Sequence, residues 1–299
     1  MIWIPITIWA AFAQTVRNAA QRHLVADLGT LGATMVRFIY GVPFAALWLL
    51  VVWWATSVAI PELNAVFVGW VFLGGICQIV GTSFLLQTMG ARNFAVGVAY
   101  SKTEVVQVAI FAVVFIGDPL TLRTALAVAS GTIGVIMLTP ADPKRPFRSM
   151  LEGLSSRSAF LGLGCGACYA IGTVAFRGAT LSLGSPSFLM AAAFTLVLAQ
   201  ILQTLMLGTW LAMREPATIV RVLKAWRASL FAGFMGAAAS AGWFSAFAIE
   251  PVTHVRTLGL IEMVFSYAVS RRFFREHLTR RELIGIALLA LGVLIITVR

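Results

Sequence analysis

Charged residues are almost absent from stretches of about 20 residues in this chain, and this absence limits its fold more than any other feature. The chain has 22 Lys and Arg and 11 Asp and Glu among 299 residues, gathered in short clusters between apolar runs. A helix of about 20 apolar residues crosses the ~30 Å hydrocarbon core of a bilayer. Because lipid cannot hydrogen-bond a peptide group, such runs must be helical. The sequence therefore predicts an all-α integral membrane protein.

Ten apolar runs are predicted as transmembrane helices. Their predicted ranges are Ile2–His23, Thr30–Thr56, Ala65–Met89, Phe94–Ile116, Leu122–Thr139, Ala159–Ser182, Pro186–Ala212, Ala228–Ile249, Val252–Phe273 and Glu282–Thr297. Two longer connections, 140–158 and 213–227, place apolar residues at i, i+3, i+4 and i+7 with Arg or Lys opposite, a pattern typical of helices lying on a membrane surface. An ordinary basic loop is the alternative for both. The apolar residues are Phe147, Met150, Leu151 and Leu154, and Ile219, Val222, Leu223 and Trp226.

The sequence contains an internal repeat. A shift of 158 residues superposes helices 4 and 5, with their loop, on helices 9 and 10 without gaps. Five helices are an odd number, so a second copy must enter the bilayer from the opposite side, as in many secondary transporters. We predict two inverted five-helix repeats, 1–139 and 159–299, joined by the amphipathic linker 140–158. The coincident pairs are Glu104 and Glu262, Phe115 and Phe273, Asp118 and Glu276, Leu120 and Leu278, Thr121 and Thr279, Arg123 and Arg281, and Gly134 and Gly292.

The net charge of +11 comes from basic residues beside helix ends, with no basic domain attached. This distribution favours anionic lipid headgroups as partners and argues against nucleic acid. Most basic residues follow odd-numbered helices, so that side is predicted to be cytoplasmic and both termini periplasmic or extracellular. These residues are Arg22, Arg92, Lys144, Arg145, Arg148, Arg157, Arg214, Arg221, Lys224, Arg227, Arg271, Arg272, Arg275, Arg280 and Arg281.

Two copies of an acidic-x-Leu-Thr step connect predicted helices, and each is followed by a helix bearing Gly134 or Gly292. They are Asp118-Pro119-Leu120-Thr121 and Glu276-His277-Leu278-Thr279. With ten predicted helices, these residues resemble the drug/metabolite transporter superfamily, specifically the ten-helix EamA-type permeases. The resemblance implies an inner-membrane transporter, frequently an exporter, for amino acids, other metabolites or drugs. It also implies a cytoplasmic amino terminus, whereas the charge distribution places both termini outside.

Helix 4 carries the richest polar set inside a predicted span: Tyr100, Ser101, Lys102, Thr103, Glu104 and Gln107. A rise of ~1.5 Å per residue from Phe94 puts Lys102 and Glu104 roughly 12 to 15 Å deep, near the bilayer midplane. Tyr100, Glu104 and Gln107 share one helix face, whereas Lys102 lies about 200° around from Glu104. We therefore expect Lys102 to reach the solute or another helix, where Glu262 is its candidate partner.

Several interpretations of the deep polar residues stay open. Glu104 and Glu262 would attract a cationic group or carry a coupling proton while Lys102 attracts an anionic group. Alternatively, Lys102 and Glu262 form a buried bridge that locks a gate, or the charges snorkel to the surface. Arg37 is favoured as a headgroup anchor.

Deep aromatic residues offer a second candidate feature. An apolar wall for a planar or hydrophobic side chain would be formed by Tyr100, Tyr169, Trp243, Phe247 and Tyr267, with ordinary packing as the alternative.

The sequence favours a secondary transporter, in the exporting direction, for small amphipathic metabolites such as amino acids, working by alternating access. Multidrug or other metabolite efflux is the alternative. A membrane-embedded enzyme is a distant one, because the three histidines are scattered and show no metal-ligand spacing or nucleophile motif. We expect a small-molecule solute and membrane lipids as partners, no cofactor and no metal, a monomer or homodimer, and a bacterial-type inner membrane as the location.

Overall fold

The computed structural model describes residues 2–111, 121–138, 156–250, 255 and 258–297. These residues form helices joined by turns and contain no β-strand, which confirms the all-helical class. The helices are α1 Trp3–Ile39, α2 Val42–Thr56, α3 Ala65–Ala91, α4 Phe94–Ser101, α5 Thr103–Phe111, α6 Leu122–Leu138, α7 Arg157–Ser182, α8 Phe188–Arg214, α9 Pro216–Lys224, α10 Trp226–Ile249, α11 Ile261–Arg272 and α12 Arg280–Thr297.

Five helical stretches within the described residues are long and apolar enough to cross a membrane. They are Trp3–Thr56, Ala65–Ala91, Arg157–Ser182, Phe188–Arg214 and Trp226–Phe247. The first is 54 residues long, and a straight helix of that length would extend about 80 Å, far beyond a ~30 Å hydrocarbon core. The chain is therefore a multi-pass membrane protein; ten crossings stay a prediction.

Helix α1 folds back on itself at Gly29. This glycine has φ 72° and ψ 172°, a backbone conformation that is essentially restricted to glycine. The Gln21 amide donates a hydrogen bond to the Ala33 carbonyl at 2.8 Å, whereas 12 residues of straight helix would separate the two by about 18 Å. The predicted boundary between helices 1 and 2, which falls between His23 and Thr30, is confirmed.

A second break, at Tyr40–Gly41, corrects the predicted continuous helix Thr30–Thr56. Pro43 is at the start of α2, where its missing N–H is tolerated. A Cβ at Gly41 would lie 2.5 Å from both the Arg37 carbonyl oxygen and Gln200 Oε1. The break therefore depends on a close approach by α8, which helix periodicity does not reveal.

The chain divides into two compact units. Unit 1 is Met1–Ser83 with Ile171–Gly259, and unit 2 is Phe84–Ala170 with Leu260–Arg299. Each unit takes segments from both predicted repeats, whose boundaries at 139 and 159 stay a prediction.

In unit 1, α1 packs against α10, and α2 packs against α8 and α10. The helix predicted in 213–227 is present as α9, whose Thr218 and Val222 pack on Gly32 of α1, but it ends at Lys224, and Trp226 of the predicted apolar face begins α10 instead. The location of α9 on a membrane surface stays a prediction. Leu223 and Trp226 are about half exposed. The linker 140–158, including its predicted apolar face, lies outside the described residues.

In unit 2, α6 and α12 pack through reciprocal glycine contacts. A Cβ at Gly134 would lie 2.8 Å from the Gly285 carbonyl oxygen, and a Cβ at Gly292 would lie 2.8 Å from the Ala127 carbonyl oxygen. The shift of 158 residues converts each contact into the other. It also pairs Ser130 with Leu288, and these two residues are joined by a 2.8 Å hydrogen bond from the Ser130 hydroxyl to the Leu288 carbonyl.

The ends of the same two helices show a similar reciprocity that is offset by one residue, because the shift of 158 places Ile136 on Leu294 and not on Ile295. Arg123 lies in the first turn of α6 and donates a hydrogen bond to the Ile295 carbonyl at 2.6 Å. Its equivalent Arg281 donates to the Ile136 carbonyl at 3.0 Å. Residue numbers rise along one helix as they fall along the other, so α6 and α12 run antiparallel.

Candidate functional site

The predicted helix 4 is broken at Lys102, so its prediction as one continuous helix over Phe94–Ile116 is wrong. The Lys102 N–H bonds the Ala99 carbonyl at 3.0 Å, three residues back instead of four. The hydroxyls of Ser101 and Thr103 each bond a carbonyl three residues earlier, at 2.7 Å, and such side-chain bonds compete with regular helix geometry. Lys102 thus lies between α4 and α5.

Unit 2 has a turn at the repeat-related position. Residues 259 and 260 form a turn and α11 begins at Ile261. The shift of 158 residues places Leu260 on Lys102 and Glu262 on Glu104. The deep polar residues therefore follow breaks in helical structure at corresponding positions, and breaks of this kind form binding sites in transporters.

Lys102 and Glu262 form an ion pair inside unit 2. The Lys102 Nζ lies 2.5 Å from the Glu262 Oε2, and the two side chains are 7% and 1% exposed. The candidate partner of Lys102 is thus confirmed. Glu104 is buried as well, and Cys165 of α7 lies within electrostatic range of Lys102, Glu104 and Glu262. The structure therefore gathers one buried ammonium and two buried carboxylates in one region.

Two glycines of α7 allow this region to pack closely. A Cβ at Gly162 would overlap the Tyr100 ring, and a Cβ at Gly166 would overlap Thr103 Oγ1 and approach the Gln107 amide at 2.8 Å. The Gln107 amide donates to Thr103 Oγ1 at 2.9 Å. The predicted shared face of helix 4 therefore faces α7.

The phenolic oxygen of Tyr100 is buried and has no hydrogen-bond partner. Most buried polar atoms in proteins are hydrogen-bonded, and an unpaired one costs free energy. The hydroxyl of Ser266, which lies one helical turn after Glu262 in α11, is likewise buried without a hydrogen-bond partner. Both groups therefore retain unused hydrogen-bonding capacity.

The other predicted site residues are dispersed. Tyr169 and Tyr267 are half-buried in unit 2, on α7 and α11. Trp243 belongs to unit 1, where its indole N–H donates to Gln14 Oε1 at 2.9 Å and its ring stacks on Phe247 at 5.8 Å between centroids. Of the residues predicted to form the aromatic wall, Trp243 and Phe247 contact each other within unit 1.

A second charged cluster in unit 2 has a structural role. Arg92 pairs with Glu282 at 3.0 Å. Glu276 accepts the N–H that begins α4 at Phe94, at 2.9 Å, and Thr279 and Glu282 bond each other's backbone N–H as a capping box at the start of α12. The second acidic-x-Leu-Thr step therefore fixes the ends of two helices.

Sequence reasoning missed a polar interior in unit 1. Arg17 and Arg37 are 2% and 4% exposed, so the interpretation of Arg37 as a headgroup anchor is wrong; it donates to Thr82 Oγ1 at 3.1 Å. Gln203 of α8 donates to Gln78 of α3 at 2.7 Å. The available signal was polar pairs at helical spacing within apolar spans, such as Gln78 with Thr82 and Gln200 with Gln203.

Within the described ranges, no three His, Cys, Asp or Glu residues are grouped as metal ligands.

A multi-pass helical protein with buried charges at helix breaks has the features of a solute-transporting membrane protein. Residues 156–298 match the model of the EamA-like transporter family. This match confirms the resemblance to the drug/metabolite transporter superfamily, whose members carry small solutes across membranes.

Structural comparison supports the fold. A crystal structure of a protein with 16% sequence identity superposes with a TM-score of 0.59, over 98% of this chain and 96% of the other. At this identity the likeness concerns the fold alone. No curated protein matches the sequence.

Proposed function

We propose that the protein is a secondary transporter that exports small amphipathic metabolites, amino acids first among them, across a bacterial-type inner membrane by alternating access. In this mechanism Lys102, Glu104 and Glu262 bind the charged groups of the solute or carry a coupling proton. Within unit 2, Tyr100, Gln107, Tyr169 and Tyr267 contact the rest of the solute.

The buried Lys102–Glu262 pair is the observation that carries the proposal. Charges inside a bilayer are costly, and they are retained mainly where a solute, an ion or a proton needs them. A solute with a carboxylate competes for Lys102, and a solute with an ammonium group competes for Glu262. A zwitterion satisfies both, which favours amino acids over purely cationic solutes.

The packing of α6 and α12 supports the inverted-repeat part of the proposal. These helices end the two predicted repeats, and they run antiparallel with contacts that the shift of 158 residues interchanges. Two copies of one five-helix unit in opposite orientations would produce this pattern.

The proposal is tested by flux in sealed liposomes. Purified protein should accelerate the movement of at least one amino acid, and Lys102→Ala and Glu262→Gln should each reduce that flux at least 10-fold. Glu62→Gln, at an exposed position outside the helices, is the matched control and should leave the flux unchanged. Normal flux in both variants would remove the pair from the mechanism, and absence of flux for every amino acid would contradict the substrate class.

Multidrug efflux is the second candidate, and an apolar groove in unit 1 favours it. The groove has a volume of about 730 Å³ and is lined mainly by apolar side chains, including Trp9, Phe44, Trp48 and Phe234. Such a surface suits a hydrophobic cation better than a small zwitterion. Resistance of expressing cells to lipophilic cations, lost in Phe234→Ser but retained in Lys102→Ala, would favour this function.

A further inference from the structure

The short helix α9 of unit 1 carries exposed basic and exposed apolar side chains together. It connects the helical stretches Phe188–Arg214 and Trp226–Phe247, which are both long and apolar enough to cross a membrane. A connection between two consecutive spans is expected at one surface of the bilayer, where the lipid headgroups are. We call residues 213–227, which are α9 and its two flanks, the α9 segment.

The α9 segment has an excess of positive charge. Four basic residues and one acid, Glu215, give it a net charge of +3. The helices that contact α9 are α1, α8 and α10, and the acids on them or directly after them are Asp27 and Glu250. Asp27 is exposed, and Glu250 follows the far end of α10, ~36 Å from Trp226 by helical rise. The four basic residues of the segment are all exposed, and they are Arg214, Arg221, Lys224 and Arg227.

Helix α9 has three different faces. Thr218 is buried against α1. At about 100° per residue, Leu223 is rotated about 140° from Thr218 in one sense and Lys224 about 120° in the other. Leu223 and Trp226 are each 51% exposed, and the Arg227 guanidinium lies 5.3 Å from the centre of the Trp226 ring. Helices that lie in a membrane interface combine an apolar face toward the acyl chains with a basic face toward anionic headgroups in this way.

The α9 segment is also attached to the second arm of α1, residues 30–39. A Cβ at Gly32 would lie 3.1 Å from Thr218 Cγ2 and 3.5 Å from Val222 Cγ2, so α9 contacts the backbone near the start of this arm. The hydroxyl of Tyr40, directly after the arm, donates to the Val222 carbonyl at 3.1 Å. Carbonyls in the last turn of a helix lack a partner within that helix, and Tyr40 supplies one. The position of α9 therefore affects both ends of the arm.

We propose that the α9 segment binds the headgroup of an anionic phospholipid and that this binding holds the second arm of α1, residues 30–39, in place. Lys224 and Arg227 bind the phosphate group, while Leu223 and Trp226 contact the acyl chains. Attraction of basic side chains to an anionic membrane surface acts within about one Debye length, ~8–10 Å, so exposed residues at the interface experience it fully. This site belongs to unit 1 and does not depend on the proposed transport function.

The test compares two phospholipids with identical acyl chains on the purified full-length protein in a neutral detergent. Phosphatidylglycerol and phosphatidylcholine are titrated separately, and the melting temperature is measured, since a ligand that binds the folded state raises it. We expect phosphatidylglycerol to raise the melting temperature by at least ~3 °C more than phosphatidylcholine. Equal shifts with the two lipids would overturn the site. A shift with soluble glycerol 3-phosphate as large as that with phosphatidylglycerol would also overturn it, because it would indicate a site for small anions.

The double variant Lys224→Gln with Arg227→Gln should lose most of the difference between the two lipids. Arg271→Gln with Arg272→Gln is the matched control, because it removes the same charge from two exposed arginines at the end of α11, and it should keep the difference. Gel filtration checks folding, and Arg214→Gln with Lys224→Gln replaces the first variant if that one misfolds. A difference that persists in the folded α9 variant, or that is lost in the control, would overturn the site.

Hydrogen–deuterium exchange tests the link to α1, because amide exchange reports local opening of the backbone. Phosphatidylglycerol should slow exchange within residues 30–39 of the wild-type protein but not in Lys224→Gln with Arg227→Gln. Slower exchange that is confined to residues 213–227 would overturn the link between the lipid and the second arm of α1.

Discussion

Lys102 and Glu262 are expected to contribute to stability only as a pair. Removal of one partner leaves the other charge buried, which typically costs ~3–5 kcal/mol, whereas replacement of both by apolar residues is often close to neutral. We therefore predict that Lys102→Met lowers the free energy of unfolding by ~3–5 kcal/mol and that Lys102→Met with Glu262→Leu restores most of it. Denaturant unfolding in detergent measures both. Additive losses in the double variant would contradict the pairing.

A substitution at Tyr100 should affect protein stability and solute affinity differently. Its buried hydroxyl has no partner, so Tyr100→Phe removes an unsatisfied group and should leave stability unchanged or raise it by ~1 kcal/mol, while solute affinity falls. Tyr40→Phe is the matched control, because the Tyr40 hydroxyl donates to the Val222 carbonyl at 3.1 Å and its loss should cost ~1 kcal/mol. Melting temperature and ligand titration distinguish the two. A clear loss of stability in Tyr100→Phe would indicate a structural role.

At the scale of elements, the bend in α1 depends on the backbone of Gly29. A Cβ there would meet no atom within 4 Å, so Gly29→Ala is a purely conformational change at φ 72° and ψ 172°. We predict a loss of ~1–3 kcal/mol in the free energy of unfolding. Gly90→Ala, in open space on α3, is the control. Equal stability of both variants would show that the bend does not need a glycine.

The contact between α6 and α12 should be sensitive at both of its related glycines. Gly134→Ala and Gly292→Ala each place a methyl group against backbone atoms of the facing helix, which cannot move as a side chain tip can. Overpacking of this kind costs ~1–3 kcal/mol, and we expect a similar loss at both sites. A Cβ at Gly69 would have no atom within 4 Å, so Gly69→Ala should leave the free energy of unfolding unchanged. A loss at one glycine alone would contradict the reciprocity.

Hydropathy located most helices because each apolar run in lipid must satisfy its own backbone hydrogen bonds by forming a helix. Hydropathy did not predict the breaks at Gly41 and Lys102. The first involves close contact with the Gln200 side chain, which is distant in sequence. The second involves hydroxyl-to-backbone hydrogen bonds of Ser101 and Thr103, to which hydropathy is insensitive. Glu262 was identified as the partner of Lys102 from the repeat. Arg17 and Arg37 are 20 residues apart in sequence, and only the bend at Gly29 brings them together.

At the scale of the whole molecule, the orientation in the membrane is testable. The positive-inside rule places the connection containing Glu62 outside and the connection containing Glu215 in the cytoplasm, and both residues are exposed. In a background without Cys77, Cys165 and Cys168, a membrane-impermeant maleimide should label Glu62→Cys in intact cells and Glu215→Cys only after permeabilisation. The reverse pattern would agree with the cytoplasmic amino terminus that the family resemblance implies.

The glycine contacts of α6 and α12 also limit the conformational changes that are available to these two helices. Two backbones that touch at Gly134 and Gly292 leave little clearance for sliding past each other. We therefore expect α6 and α12 to move as one body in the proposed transport cycle. We expect bending at the interrupted segments Tyr40–Gly41 and Lys102, where the regular helical hydrogen bonds are already broken.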